Sequence, residues 1–350
     1  MREKNQRLSL RHLVLRLLVI MTIQVPCSFA VPESDLLKTW RDIYGDWQKT
    51  NCVWLRYESS SGKKTGFARC GVGNKPVVIL PGYSEPALKY MEAVYDLIKA
   101  DTGLGPFYVW ELPGQGTSDR LGPTAYLVHV DTPDRYIDDF LRFMEKEVRS
   151  RYSSKPILVA HSTGALIAFN AAARRSGDIS RIVALSPLVR PALPLPSSIV
   201  GLIAQFYRWF GFGSSSVWGQ SSKPVEDQRY ATNKSTDSSV RWSISHSVLV
   251  ENPNLFSHGV SWDWLSSVLD RGDDILANYR YINLPVTIMK PESDFYVSGA
   301  ASDAFCKNLA DCSSTIIAGN MHELLQLSDS KRNVVMSAIL NKISSVPDSN

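Results

Sequence analysis

Two periods of apolar residues alternate along the chain. Short, nearly uninterrupted apolar runs occur at Val77–Leu80, Phe107–Trp110, Pro156–Ala160, Arg181–Leu185, Val286–Met289 and Thr315–Ala318. Runs of this length without a polar alternate predict strands covered on both faces. Helical spacing separates them. Leu88, Met91, Val94, Tyr95 and Ile98 make one face of Ala87–Ala100, and Ile137, Phe140, Leu141, Met144 and Val148 follow Pro133 in the same way. Further helices are expected over Leu166–Ala171, from Ala300 to Leu309 and from Arg332 to Ile343. Strands alternating with amphipathic helices predict an α/β fold, a mostly parallel sheet with helices on both faces. A hairpin of Val53–Tyr57 and Thr65–Arg69, turning through Ser59–Lys63, is expected to open it.

One stretch breaks the alternation, from Pro187 to about Leu284. It opens on Pro191, Pro194 and Pro196 and holds five of the nine tryptophans, Trp209, Trp218, Trp242, Trp262 and Trp264. We read it as a helical cap inserted into the sheet domain. The organisation is then a signal segment (1–30), a first core part (31–186), the cap or lid (187–284) and a second core part (285–350). Within the cap, Ile199–Phe212 carries nine large apolar or aromatic side chains, with Arg208 its only charge. Such a helix is apolar around most of its circumference and is expected to be buried. Its cover would be the cap's own core or an acyl chain.

Charge changes the picture at one end only. The formal net charge is +4. Arg2, Lys4, Arg7, Arg11 and Arg16 against Glu3 account for all of it, so residues 31–350 are formally neutral and give no reason to expect a nucleic-acid partner. A basic start, the apolar run Leu17–Val25, Pro26 and then Ser28-Phe29-Ala30 follow the order of a secretory signal. The run falls short of the about 20 residues that span a bilayer. Export with cleavage after Ala30 is therefore expected over an uncleaved anchor, placing the chain in the periplasm, at the outer membrane or outside the cell. A lipoprotein reading through Cys27 lacks the small residues usually found before such a cysteine. Cleavage leaves Cys52, Cys70, Cys306 and Cys312, an even set that favours disulfides in an exported chain. Cys52 and Cys70 are equidistant from Ser61 and should face each other across the hairpin. Cys306 and Cys312 should staple a helix end to the next strand. Neither pair has the close-spaced ligands of a zinc site, and no metal or other cofactor is expected.

The chemistry centres on Ala160-His161-Ser162-Thr163-Gly164-Ala165. A buried strand runs through one serine into a helix, with small residues on either side of it. This resembles the Gly-x-Ser-x-Gly nucleophile elbow of α/β-hydrolases, with Ala160 for the first glycine. A serine hydroxyl needs a histidine to take its proton and an acid to hold that histidine. Asp294 follows the strand Val286–Met289 and His322 follows Thr315–Ala318, in the order serine, acid, histidine. Of the other histidines, His12 lies in the signal, His161 in the elbow, and His129, His246 and His258 away from the strand ends. Glu292 is the rival acid. An oxyanion needs N–H donors. Thr163 offers one, and the turn Leu80-Pro81-Gly82-Tyr83-Ser84-Glu85 offers another, from Tyr83.

Five segments occur in order: Leu80–Glu85, Leu112–Asp119, Val159–Gly164, Pro291–Asp294 and Gly319–Glu323. From about Val77 onward the chain resembles the bacterial lysophospholipases and monoacylglycerol lipases grouped with serine aminopeptidase-like α/β-hydrolases. Gly259–Leu265 resembles that family's aromatic cap helix. Departures are Pro81 where many relatives have histidine, Ala160 for glycine, and Glu111 where many have aspartate. The resemblance implies carboxyl-ester hydrolysis through an acyl-enzyme, without a metal, and does not fix the substrate; the apolar segment Ile199–Phe212 in a cap over the serine points to a single-chain lipid such as a lysophospholipid or monoacylglycerol. The same apolar segment allows transient contact of the cap with a membrane surface. Two alternatives stand beside this. One is an aminopeptidase of the same fold, for which Glu226, Asp227, Asp237 and Glu251 are scattered rather than clustered. The other is a catalytically silent binding module, against which the full Ser162, Asp294 and His322 set counts.

Overall fold

Alternate residues of each central strand feed two different cores, as expected where both sheet faces are covered. Val78, Leu80, Leu158, Ala160, Ile182 and Ala184 enter one, and Val77, Ile79, Ile157, Val159, Val183 and Leu185 the other. The computed structural model describes residues 31–101, 103–220 and 225–345. The expected signal segment 1–30 lies outside them. In chain order the main elements are α1 (Glu33–Arg41), β1 (Cys52–Glu58), β2 (Lys64–Lys75), β3 (Val77–Leu80), α2 (Met91–Ala100), β4 (Gly105–Trp110), α3 (Arg135–Phe143), β5 (Ile157–His161), α4 (Thr163–Arg175) and β6 (Arg181–Leu185). Then come α5 (Ser197–Trp209), α6 (Ser239–Glu251), α7 (Trp262–Asn278), β7 (Val286–Pro291), α8 (Gly299–Asn308), β8 (Cys312–Ile317) and α9 (Asp329–Ser344).

The eight strands form one sheet in the order β1-β2-β4-β3-β5-β6-β7-β8. β1 and β2 are antiparallel at one edge, and every pairing from β4 to β8 is parallel. This is the α/β-hydrolase fold. Ile137, Phe140 and Phe143 of α3 and Leu166, Ala168 and Phe169 of α4 close one face. Met91, Val94 and Leu97 of α2 and Val335, Met336, Ile339 and Ile343 of α9 close the other.

The hairpin has the expected register, Cys52 opposite Cys70, and disulfides join Cys52 to Cys70 and Cys306 to Cys312. The loops closed are 18 and 6 residues apart in sequence, so each bond adds at most about 3 kcal/mol. Reduction is expected to lower the melting temperature, with the larger share from Cys52–Cys70. Mass spectrometry of unreduced protein checks the pairing; four alkylatable thiols would contradict it.

Three expectations need correction. The hairpin is not first, because α1 precedes it; of α1 only Leu36 is buried, too little to leave an apolar period in the sequence. β8 begins at Cys312, ahead of the apolar run, because it is an edge strand whose Ser313, Ser314, Thr315 and Ile316 are exposed. The helix at Ile199–Phe212 is not buried around its circumference. α5 buries only Val200 and Ala204, while Leu202, Phe206, Trp209 and Phe210 are exposed, Trp209 at 87%.

The segment between β6 and β7 divides between the two cores. α5 packs on α7, and α7 packs on α4. α6 instead packs on α1 and sends Ile244 and Val248 into the second core. Arg241 of α6 fixes that position. It is buried, donating to Glu92 of α2 at 3.0 Å, to Asp329 of α9 at 2.7 Å and to the Leu327 carbonyl at 2.8 Å.

Candidate active site

The parallel strands deliver four loops to one sheet edge, where ligands bind in open α/β folds. Tyr83 follows β3, Ser162 follows β5, Asp294 follows β7 and His322 follows β8. Backbone strain concentrates here. Among the described residues, the non-glycine residues with positive φ are Ser84 (63°), Ser162 (50°) and Ser186 (44°), just beyond β3, β5 and β6. Such conformations cost on the order of 1–3 kcal/mol each and persist only where the surroundings impose them.

At Ser162 the surroundings are clear. Its N–H donates to the Leu185 carbonyl at 3.0 Å, and its carbonyl accepts from the Leu188 N–H at 3.1 Å. Gly164, the second residue of α4, lies against the end of β3. A Cβ there would sit 2.3 Å from the Leu80 carbonyl oxygen and 2.6 Å from that of Pro81. Only glycine permits this approach, which brings the first amide of α4, Thr163, beside the turn that carries Tyr83. At Ala160 the methyl group is fully buried in the core, so smallness suffices there.

Asp294 and His322 are joined directly, His322 Nδ1 lying 2.7 Å from Asp294 Oδ2. The other carboxylate oxygen accepts the N–H groups of Tyr296 at 2.8 Å and Val297 at 3.2 Å. Burial works against the charge of Asp294, but its hydrogen bond with His322 and then these two amides outweigh it, and its pKa lies below the usual carboxylate range. Asp294 is therefore ionised at neutral pH and holds the His322 proton on Nδ1, leaving Nε2 to accept. Glu292, the rival acid, turns elsewhere and accepts the Gly319 N–H at 2.9 Å. The Tyr296 ring lies 5.1 Å from that of His322.

The start of α7 and the segment before it reach this edge. Trp264 packs on Tyr83 with ring centroids 5.3 Å apart, and the Ser84 hydroxyl donates to the Ser257 carbonyl. Gln115, in the turn after β4, accepts from the Ser84 N–H and donates to the Tyr136 hydroxyl. Glu111, where many relatives carry aspartate, is buried and accepts the N–H groups of Ala87 and Thr117, tying two site loops together. His129 and His258 have other partners: His129 faces Ser261 Oγ at 3.0 Å, and His258 stacks on Phe256. Among the described residues no group of three or more His, Cys, Asp or Glu side chains is placed to hold a metal ion.

The sequence reading missed two side chains at this edge, Glu85 and Ser186, and left His161 without a role. Ser186 Oγ donates to the His322 carbonyl at 2.7 Å. No local pattern marks such contacts, because the partners lie 136 residues apart.

The model of the family described as Serine aminopeptidase, S33, matches residues 74–329. Lysophospholipase L2 of Escherichia coli (strain K12) is 26% identical over 278 residues, covering 77% of this chain and 80% of that protein. Monoacylglycerol lipase of Paleococcus ferrophilus superposes with a TM-score of 0.60 at 20% identity, over 81% of this chain and 99% of that one. A soluble variant of the Saccharomyces cerevisiae monoglyceride lipase, solved with a substrate analog, gives a TM-score of 0.65 at 17% identity, over 87% and 98%. With the elbow, the strand order and a family match across most of its length, this chain belongs to the serine aminopeptidase S33 family of α/β-hydrolases.

Proposed function

We propose that the chain is a serine hydrolase that cleaves the carboxyl ester of a single-chain lipid through an acyl-enzyme. The observation that carries this reading is the buried Asp294–His322 pair at the same strand-end edge as the strained Ser162. Ser162 Oγ attacks the ester carbonyl carbon as His322 Nε2 takes its proton, and the carbonyl oxygen becomes an oxyanion. Tyr83 and Thr163 donate their N–H groups to that oxygen. The Gly82 N–H is already bound by Glu85 at 2.7 Å, which supports Tyr83 as the donor from that turn. Collapse breaks the ester C–O bond, and the alcohol leaves with the proton from His322. Water then adds to the acyl-enzyme, giving up a proton to His322, and the fatty acid leaves as Ser162 regains its hydrogen.

The lipid preference rests on residues 187–284 acting as a cap. The inner face of α5 packs on α7, with Tyr207 stacked on Trp262 at 4.5 Å, and α7 begins beside Tyr83. Its outer face leaves Leu202, Phe206, Trp209 and Phe210 in solvent. Large aromatic side chains of this kind settle at the boundary between lipid headgroups and acyl chains. We assign the outer face to transient contact with a bilayer, where single-chain lipids reside. Names of relatives, lysophospholipase and monoacylglycerol lipase, support the substrate class. Two disulfides and the N-terminal signal pattern support export.

The test is the specificity constant against acyl length for lysophospholipids, monoacylglycerols and triglycerides, with aminoacyl amides in the same panel. Each buried methylene contributes about 0.8 kcal/mol, so kcat/KM is expected to rise about four-fold per methylene until the pocket fills. A flat response, or faster cleavage of aminoacyl amides, would remove the lipid reading and promote the peptidase one. Co-sedimentation with phosphatidylcholine vesicles should fall when Leu202 and Trp209 are changed to serine, while turnover of a short soluble ester stays unchanged.

A further inference from the structure

A second buried charged cluster adjoins His322 and takes no part in the proton transfers above. His161, the last residue of β5, is buried. Its Nδ1 lies 2.8 Å from Glu85 Oε2, and its Nε2 lies 3.4 Å from the backbone carbonyl oxygen of His322. Glu85 Oε2 also accepts from the Gly82 N–H at 2.7 Å and the Tyr90 hydroxyl at 2.6 Å. Its Oε1 accepts from Lys89 at 2.7 Å, and Lys89 is paired in turn with Glu323, the neighbour of His322, at 2.7 Å.

The protonation state follows from counting donors. With Lys89, Tyr90 and the Gly82 amide all donating to it, Glu85 is an acceptor, so His161 Nδ1 carries a hydrogen. A backbone carbonyl can only accept, so Nε2 carries one too. A neutral imidazole has a single N–H, and both bonds together require the imidazolium. We infer that His161 is a buried imidazolium acting as a positioning residue, holding the His322 backbone to the Gly82–Glu85 turn that carries the Tyr83 oxyanion donor. The inference rests on the reading of Ser162 and His322 as the reacting pair.

Other features agree. A Cβ at Gly82 would lie 2.7 Å from Glu85 Oε2 and 3.0 Å from His161 Nδ1, so glycine there makes room for the pair. Burial disfavours the charge on His161, but the adjacent Glu85 carboxylate outweighs it and raises the pKa above the ordinary value. Glu85 is held well below its own, against burial, by Lys89 and His161. The groups facing His161 are Glu85, Lys89 and Tyr90 from the segment after β3, and His322 and Glu323 from the loop after β8. The His322 ring lies 4.8 Å away. Because the folded pKa is raised, the link is complete below the unfolded value and is lost as pH rises through the folded one.

Two measurements test this. In the full chain labelled with ¹⁵N-histidine, NMR at pH 7.5 should show a resonance set with both ring nitrogens protonated that is missing from His161→Gln. A bare Nε2 on His161 would overturn the inference without reference to activity. The second measurement is the rate at which a fluorophosphonate labels Ser162, taken with kcat and KM. Small displacements at a reacting centre cost on the order of 10²-fold, so His161→Gln and Glu85→Gln should each slow labelling and lower kcat by about that factor, with KM little changed. Wild-type kcat should fall at alkaline pH with the His161 imidazolium signal. Labelling of both variants at the wild-type rate would overturn the positioning role. Failure of the wild-type chain to label would instead overturn the hydrolase reading and the positioning role with it, while the NMR result still decides the charge on His161.

Discussion

Ser162→Ala is expected to lower ester turnover by about a million-fold, the loss seen when a serine nucleophile is removed from an otherwise intact site. Substrate binding and folding should survive. The φ of 50° at position 162 is imposed by backbone bonds to Leu185 and Leu188, which alanine also makes. The substitution removes one oxygen and opens little space. The measurement is kcat on a chromogenic ester beside a thermal melt. Turnover within ten-fold of wild type with an unchanged melt would exclude Ser162 as nucleophile, and with it the acyl-enzyme.

The second large effect is expected at Asp294. Asp294→Asn should cost about 10⁴-fold in kcat, through the tautomer of His322 rather than through charge alone. Asp294 Oδ1 accepts two backbone N–H groups, from Tyr296 and Val297. The amide oxygen of asparagine must take that place, which turns its NH₂ toward His322 Nδ1. A donor there forces Nδ1 to accept, and the imidazole proton moves to Nε2, the nitrogen that has to receive the serine proton. Glu292→Gln keeps an acceptor for the Gly319 N–H and should leave kcat near wild type. The reverse pattern, with Asp294→Asn nearly silent and Glu292→Gln severe, would move the acid to Glu292.

Much of this site was legible because its residues follow strands. A continuous apolar run followed by a turn marks the C-terminal end of a parallel strand, and the fold sends every such end to the same edge. That logic places Ser162, Asp294, His322 and the Tyr83 turn after strands that the structure also shows, and it leaves Glu292 open as the rival acid on the same turn as Asp294. The hairpin cysteines were legible for a similar reason, since antiparallel register follows from symmetry about Ser61.

What the sequence determined by itself, then, is the alternation of strands and helices from Val77 onward, the turns at their ends and the Cys52–Cys70 pairing, all properties of local period and turn. Only the tertiary structure decided the rest. The apolar face of α5 looks the same in sequence whether buried or open. Its exposure follows from packing that buries only Val200 and Ala204 of α5. α6 lies against α1, and its Arg241 meets Glu92 of α2, a partner 149 residues away. His161 meets Glu85 and the His322 carbonyl, 76 and 161 residues distant. Burial and long-range hydrogen bonding set those outcomes, and neither has a local period to read.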